Sequence, residues 1–147
     1  MTISNNSINN IEKFLKRCVV HNNYIISLYV KDREAAELLM LYILDFYYKE
    51  YPDGDSKLES TSSESVIQIF FENESVIRIF TTDNMVSGIH ANLIFMDSRI
   101  REIYIRNEIK PCIDKYSLDD SGENFIINPK LIYINFESEG QRNESGK

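Results

Sequence analysis

The sequence predicts a three-layer α/β sandwich built on a mainly parallel sheet. Several segments are nearly continuous runs of apolar, β-favouring residues, which is typical of strands that are buried on both faces. These runs alternate with segments whose apolar residues recur at helical spacing. A third observation is that two short apolar runs are joined by the polar turn at 72–75, so we expect an antiparallel hairpin at one edge of the sheet.

The first part of the chain contains two predicted helices around one strand. Residues 1–8 are polar and expected to be frayed, and a first helix is expected over 10–20. Its apolar face consists of Ile11, Phe14, Leu15, Cys18 and Val19. A buried strand follows over 24–30. Asp32 then stands where it can cap a second helix, which continues to about residue 51 and stops at the turn 52–54.

The remainder of the chain supplies the other strands of the predicted sheet. The expected segments are a loop over 55–65, hairpin strands over 66–71 and 76–80, a loop over 81–88, a strand over 91–96, a mostly helical stretch over 99–116 with a break near Pro111, an acidic loop over 117–124, and a last buried strand over 131–136. Residues 137–147 are polar and expected to be a disordered tail. One domain over 1–136 is therefore predicted.

The composition limits the classes of function. The chain of 147 residues has a formal net charge of -7, which argues against direct nucleic-acid binding because phosphate contacts need clustered Lys and Arg. The nearest basic cluster is interrupted by acidic residues, and we interpret it as a solvated helix face. It consists of Arg99, Arg101, Arg106 and Lys110. No apolar run is long enough to cross a membrane, and the amino end lacks the features of a signal peptide. We therefore expect a cytoplasmic protein.

One short motif resembles a nucleotide-site signature. Residues 93–96 are apolar and are followed by Asp97, which matches the Walker B pattern. In that pattern a carboxylate at the end of a buried strand holds Mg²⁺ beside the nucleotide phosphates. Ser98 stands where ATPases usually have a Glu that activates water. Because Asp also caps helices, capping of the following segment is the alternative interpretation of Asp97.

The order of elements over about residues 10–138 resembles the ATPase domain of viral DNA-packaging terminase large subunits. In that family a hairpin strand leads through a Gly-containing loop to the Walker B strand, as 76–80, Gly88 and 93–97 do here. An apolar-Pro pair in the next helical segment is resembled by the sequence around Pro111, and the final strand by 131–136. The resemblance implies a P-loop NTPase-like fold and a phage-related role, either in packaging or in binding a host factor.

The chain departs from that family where nucleotide would be bound and hydrolysed. No GxxxxGK[ST] sequence occurs, so the backbone N–H groups and the Lys that cradle phosphates are missing. Ser98 replaces the activating Glu, and Asn135 and Phe136 stand where the family tends to have Ser or Thr. We also expect no nuclease domain. We therefore expect a degenerate relative with no cofactor, no metal site and no ATPase activity of its own.

Three hypotheses about function follow. The favoured one is a non-catalytic protein-interaction protein that binds a protein partner through aromatic residues of the second helix. These are Tyr42, Phe46, Tyr47, Tyr48 and Tyr51. The alternative is a split ATPase subunit, in which Asp97 completes the Mg²⁺ site of a P-loop-bearing partner and an apolar sheet edge is exposed. In the third, the chain is an unrelated α/β binding module whose likeness to Walker B is chance.

Overall fold

A computed structural model describes residues 1–52, 58–63, 65–82, 90–126 and 129–138, apart from the side chains of Cys112 and Tyr116. These residues form a six-stranded mixed sheet and a separate two-stranded antiparallel sheet. The strands are β1 (Thr2–Ile3), β2 (Ile25–Val30), β3 (Glu59–Ser62), β4 (Val66–Phe70), β5 (Val76–Thr81), β6 (Leu93–Asp97), β7 (Leu131–Ile134) and β8 (Phe136–Glu137). The helices are α1 (Asn5–Val20), α2 (Arg33–Glu50), α3 (Glu102–Tyr104), a π-helical segment (Ile105–Ile109) and α4 (Lys110–Tyr116).

The six-stranded sheet has the order β3-β4-β5-β2-β6-β7. Strands β5, β2, β6 and β7 are parallel, whereas β3 and β4 continue the sheet beyond β5 in antiparallel pairing. The continuous apolar sequences of β2 and β6 agree with their interior positions, because each has a parallel neighbour on both sides. The mainly parallel α/β sheet predicted from the sequence is therefore confirmed.

Helices cover both faces of the sheet. Helices α1 and α2 share one core with the inward residues of the sheet, including Leu28, Ile79 and Phe95. The segment from α3 to α4 covers the other face, where Ile109 and Ile113 pack with residues such as Phe80 and Met96. In α1 the buried side chains are Ser7, Ile11, Leu15 and Cys18, which recur at helical spacing.

The chain changes direction across the sheet between β2 and β6. From β2 it leaves through α2 toward β5 on one side, and from β6 it leaves through α3 to α4 toward β7 on the other side. Parallel α/β sheets bind ligands outside the carboxyl ends of the strands, at the point where the connections diverge in this way. The ends of β2 and β6 are therefore the position at which a fold of this kind would bind a ligand.

The amino-terminal expectation is wrong. Residues 1–8 were expected to be frayed, yet β1 pairs with β8 and Ile3 is buried in the core. Helix α1 begins at Asn5 rather than near residue 10, because the side chain of Ser4 accepts a hydrogen bond from the backbone N–H of Ser7 and caps it. Helix capping and strand pairing thus order this polar segment. Neither interaction can be detected from the spacing of apolar residues.

Three other expectations differ from the structure. Part of the predicted loop over 55–65 forms the exposed strand β3, so the hairpin of β4 and β5 is not itself the sheet edge. The helical stretch runs through Pro111 without a break, since a π-helical turn precedes it. The last strand is not fully buried: β7 ends the sheet within the described residues, and Tyr133 is 45% exposed.

Several sequence expectations lie wholly or partly outside the described residues. They concern the turn at 52–54 beyond Pro52, most of the loop at 81–88 with Gly88, and the tail from residue 139 onward. Of the predicted tail, Glu137 and Ser138 are described, and Glu137 belongs to β8.

Candidate functional site

Asp97 lies at the carboxyl end of β6, where the Walker B-like motif places it, and its side chain is 0% exposed. One carboxylate oxygen accepts the backbone N–H of Lys31 at 2.9 Å, at the end of β2. The other accepts the backbone N–H of Arg99 at 2.9 Å. Asp97 therefore ties the two strand ends together at the point where the connections diverge.

The guanidinium group of Arg99 occupies the remaining side of the Asp97 carboxylate. Its Nε donates to one oxygen at 3.1 Å and its Nη2 to the other at 2.8 Å, which is the bidentate arrangement of strong Arg–carboxylate pairs. The hydrogen bond with Asp97 is the main cause that raises the pKa of Arg99 above its ordinary value. Asp97 thus has four donors, and its charge is compensated by a side chain of its own loop.

The amino terminus of α2 contributes a second carboxylate to the same place. Asp32 caps the helix by accepting the backbone N–H of Ala35 at 2.9 Å. Its other oxygen lies 3.5 Å from Nη1 of Arg99. The positive end of α2, where an anionic ligand would be attracted, is therefore already met by the carboxylate of its own cap.

The paired termini of the described chain cover Arg99. The thioether sulfur of Met1 lies 3.2 Å from Nη1 of Arg99, and the guanidinium carbon lies 4.6 Å from the centre of the Phe136 ring. Both residues come from the β1–β8 region, so the two-stranded sheet stands over the end of β6. A guanidinium stacked on an aromatic ring is further stabilised there by the cation–π interaction.

These contacts form a hydrogen-bonded Asp97–Arg99–Asp32 junction rather than an open metal centre. A Mg²⁺ site needs oxygen ligands that can face the ion, and here the buried carboxylate of Asp97 faces Arg99. Within the described ranges, no group of three or more His, Cys, Asp or Glu side chains is arranged to hold a metal ion. Ser98 is exposed beside this junction, and its backbone N–H donates to the carbonyl of Ile134 at 2.9 Å.

The aromatic residues of α2 do not form a single exposed face. Tyr47 is buried and its ring contacts Tyr48, Tyr51 and Phe71. Tyr42, Phe46 and Tyr51 are half-buried and pack against the core, and the Tyr42 hydroxyl donates to Glu12. Tyr48 is exposed, and its hydroxyl accepts the backbone N–H of Leu58 at 3.2 Å. The structure thus places most of the predicted docking cluster in intramolecular contacts.

The sequence reasoning found Asp97 and the cap Asp32 but missed the residues that surround them. Arg99 was interpreted as part of a solvated basic helix face, whereas it lies before α3 and binds Asp97. The available signal was local: an Arg two positions after an Asp at a strand end can return to the same carboxylate. No comparable signal existed for Met1 and Phe136, whose proximity depends on the pairing of β1 with β8.

Comparison of the chain with protein-family models, with curated proteins and with solved structures finds no match. Among the helices of the described residues, none is both long enough and apolar enough to cross a membrane.

Proposed function

We propose that this chain is a non-catalytic protein-binding module on an α/β fold related to that of the terminase ATPase domain, with packaging machinery or a host factor as its class of partner. The observation that carries the proposal is the occupation of Asp97 by Arg99. A carboxylate with four donors and no exposed surface cannot take up Mg²⁺ without losing those bonds. The fold therefore presents surfaces rather than an open reaction centre.

The same junction also supports a structural purpose for the Walker B-like pattern. The Asp97 carboxylate joins the ends of β2 and β6, and Arg99 extends that link to Asp32 and the amino-terminal strand. Such a charge network fixes the relative position of elements that are distant in the sequence. A rigid scaffold is what a binding module needs, because a surface ordered in advance loses less conformational entropy on association.

One observation favours the split ATPase as a second candidate. Among the described strands, β7 is at an edge of the sheet, and the amino end of α1 lies at its tip, where the backbone N–H of Ser4 donates to the carbonyl of Asn135 at 2.9 Å. In P-loop proteins a strand precedes the helix that follows the loop. A strand from a partner could therefore lie beside β7. This candidate requires Arg99 to release Asp97.

Thermal unfolding with and without ATP and Mg²⁺ tests the proposal. A ligand that binds only the folded state raises Tm by mass action. Because we propose that the chain does not bind ATP with Mg²⁺, we expect no change in Tm. The controls are ATP with a chelator, which isolates the metal dependence, and Asp97→Asn, which removes the candidate ligand charge. A rise of several degrees that needs Mg²⁺ and is lost in Asp97→Asn would contradict the proposal.

Co-purification from the native source is a second test of the proposed function. We expect a protein partner to be recovered equally with and without ATP, and the purified complex to show no ATPase activity. If the complex hydrolyses ATP and Asp97→Asn abolishes that activity while the complex stays assembled, the chain is the split ATPase subunit. Ser98→Ala is the matched control at the neighbouring exposed position.

A further inference from the structure

A groove of about 480 Å³ lies between α1 and the edge strand β7, on the side of the molecule away from β5. Apolar side chains of α1, β6 and β7 contribute to its lining. The lining residues are Asn10, Lys13, Phe14, Leu93, Lys130, Leu131, Ile132 and Tyr133. The ring of Phe14 is held by an edge-to-face contact with Phe95 of β6, with the ring centres 5.8 Å apart. The groove thus lies at the edge of the hydrophobic core.

The backbone of β7 faces the groove at alternate residues. The carbonyl of Ile134 accepts the N–H of Ser98, so the backbone groups of Ile134 point toward β6. Those of Asn135 point the other way, since its N–H donates to Ser7 and its carbonyl accepts from Ser4.

Because successive strand residues direct their backbone groups to opposite edges, Leu131 and Tyr133 share the outward direction of Asn135. In the part of the chain that the structure describes, β7 pairs only with β6, and no hydrogen bond is made by the outward N–H and C=O groups of these two residues. A strand edge of this kind is a template for a further strand.

The charge of the groove is opposite to that of the molecule. Both charged residues in the lining, Lys13 and Lys130, are basic, whereas the chain as a whole carries a formal net charge of -7. Within the described residues neither lysine takes part in an ion pair, and the Nζ of Lys13 lies 5.2 Å from the centre of the Phe14 ring. A ligand with carboxylates on either side of an apolar residue would complement this arrangement.

We propose that the groove binds an extended, acidic segment of a partner protein, which adds as a strand to β7 and places an apolar side chain against Phe14 between Lys13 and Lys130. The inference rests on the proposed function, since it names the surface and the partner chemistry of the binding module. The backbone groups of Leu131 and Tyr133 supply hydrogen bonds, the apolar side chains of the lining supply the pocket for one side chain, and the two lysines select carboxylates.

A second copy of the chain is a poorer occupant than an acidic segment. Pairing of β7 with β7 would bring two grooves with the same basic lining into one interface, and neither groove would supply carboxylates to the lysines of the other.

The test uses two fluorescent seven-residue peptides that share alternating valines around a central phenylalanine. One carries glutamates at the flanking positions and the other carries lysines there. Fluorescence anisotropy with the full chain is expected to give an affinity for the glutamate peptide about fivefold higher than for the lysine peptide, as two partly exposed charge pairs would produce. Raising the salt concentration should reduce that preference.

Charge-reversal and edge variants make the test specific. In the double variant Lys13→Glu with Lys130→Glu the preference should reverse toward the lysine peptide, whereas Lys16→Glu, on the same helix but outside the lining, should leave it unchanged. Tyr133→Pro removes an outward N–H, which an edge strand tolerates, and should abolish binding of both peptides. Because Tyr133→Pro can also disturb folding, a second measurement changes the peptide instead. Two versions of the peptide are N-methylated at alternate amides, one at the odd and one at the even positions. The version that loses the amides facing β7 should not bind.

Three results would overturn the inference. These are equal binding of both peptides, absence of binding by either, and a concentration-dependent dimer that Tyr133→Pro dissociates. Failure of the proposed function has a different signature, which is Mg²⁺-dependent stabilisation by ATP. If the variant with both lysines reversed still recovers the native partner, the proposed protein-binding function is supported, but the groove is not the docking surface.

Discussion

Arg99 connects parts of the chain that are far apart in the sequence. It forms a bidentate pair with buried Asp97, approaches the cap of α2 at Asp32 and contacts Met1 and Phe136. The guanidinium group suits this position because its donors form a planar fork that matches a carboxylate and its face can lie on an aromatic ring. The residue therefore contributes both charge compensation and packing.

We expect Arg99→Ala to lower the free energy of unfolding by roughly 3 kcal/mol, because removing one partner leaves a buried charge without compensation. Arg99→Lys should recover only part of the loss, since an ammonium group cannot reproduce the bidentate geometry. Urea denaturation measures the effect. The exposed neighbour Arg101→Ala is the control and should change stability by less than about 0.5 kcal/mol. Equal stability of Arg99→Ala and the parent would contradict the structural account of Asp97.

Tyr24 gives a prediction for alkaline pH. Burial, the largest cause, raises the pKa of Tyr24 to about 12, and the hydrogen bond to Asp120 also raises it. The unfolded chain, with a tyrosine pKa of about 10, then loses this proton first as pH rises. The stabilising contribution is fully present below about pH 10 and is lost between about pH 10 and 12.

Two measurements check the alkaline prediction. Absorbance at phenolate wavelengths should show one tyrosine in the folded chain titrating near pH 12 that is missing from Tyr24→Phe. Urea denaturation between pH 10 and 12 should show a weaker decline in stability for Tyr24→Phe than for the parent. Identical declines in the two proteins would mean that Tyr24 has no perturbed pKa.

At the scale of single elements, the hairpin turn between β4 and β5 holds the end of α1. The side-chain amide of Asn73 donates to the carbonyls of Cys18 at 2.7 Å and His21 at 3.0 Å, and so satisfies groups that a helix end leaves without partners. The hydroxyl of Ser75 donates to His21 at 2.8 Å and accepts the backbone N–H of Tyr24 at 3.0 Å. Turn residues thereby position both α1 and the start of β2.

We expect Asn73→Ala to destabilise the chain by about 1–3 kcal/mol, because the helix carbonyls lose their donor in a partly buried place. The control is Asn22→Ala, which changes an exposed residue of the neighbouring turn and should be close to neutral. Thermal or urea unfolding compares the two variants. A loss of similar size in both would indicate that the amide of Asn73 has no special role.

The elements that were predictable from sequence are those whose pattern is local. Apolar runs identified β2, β4, β5 and β6, and the Asp32 cap gave the start of α2 correctly. Pro111 illustrates the limit of such patterns. A proline inside a helix clashes with the carbonyl four residues earlier, which predicts a perturbation, but not whether the chain breaks or widens into the π-helical segment that is found. The exposed strand β3 carries no apolar signal, and its place depends on β4.

At the scale of the whole molecule, the candidate site depends on long-range pairings that no sequence window contains. Asp97 was predictable at the end of β6, but the groups around it come from the ends of β2, α2, β1 and β8. The aromatic residues of α2 were conspicuous by composition, yet their burial depends on which face the sheet covers. Tyr47 is 5% exposed and Tyr48 is 44% exposed although they are adjacent.

The ordered amino terminus is directly testable. Ile3→Asp should lower the free energy of unfolding by about 3 kcal/mol or more, because it places an unpaired charge at a position that is 5% exposed. Asn6→Asp, an exposed change in the first turn of α1, should be neutral or slightly stabilising, since an acidic side chain is favourable near a helix amino terminus. Urea denaturation measures both. A frayed terminus would make both substitutions silent.

The pairing of β1 with β8 also has a consequence for biosynthesis. Residues 2 and 3 leave the ribosome before their strand partners, Phe136 and Glu137, have been translated. Strand β1 must therefore remain without its partner while the residues between it and β8 are translated, and contacts of such high sequence separation form late. The cover over Arg99 is completed only once β8 has been synthesised.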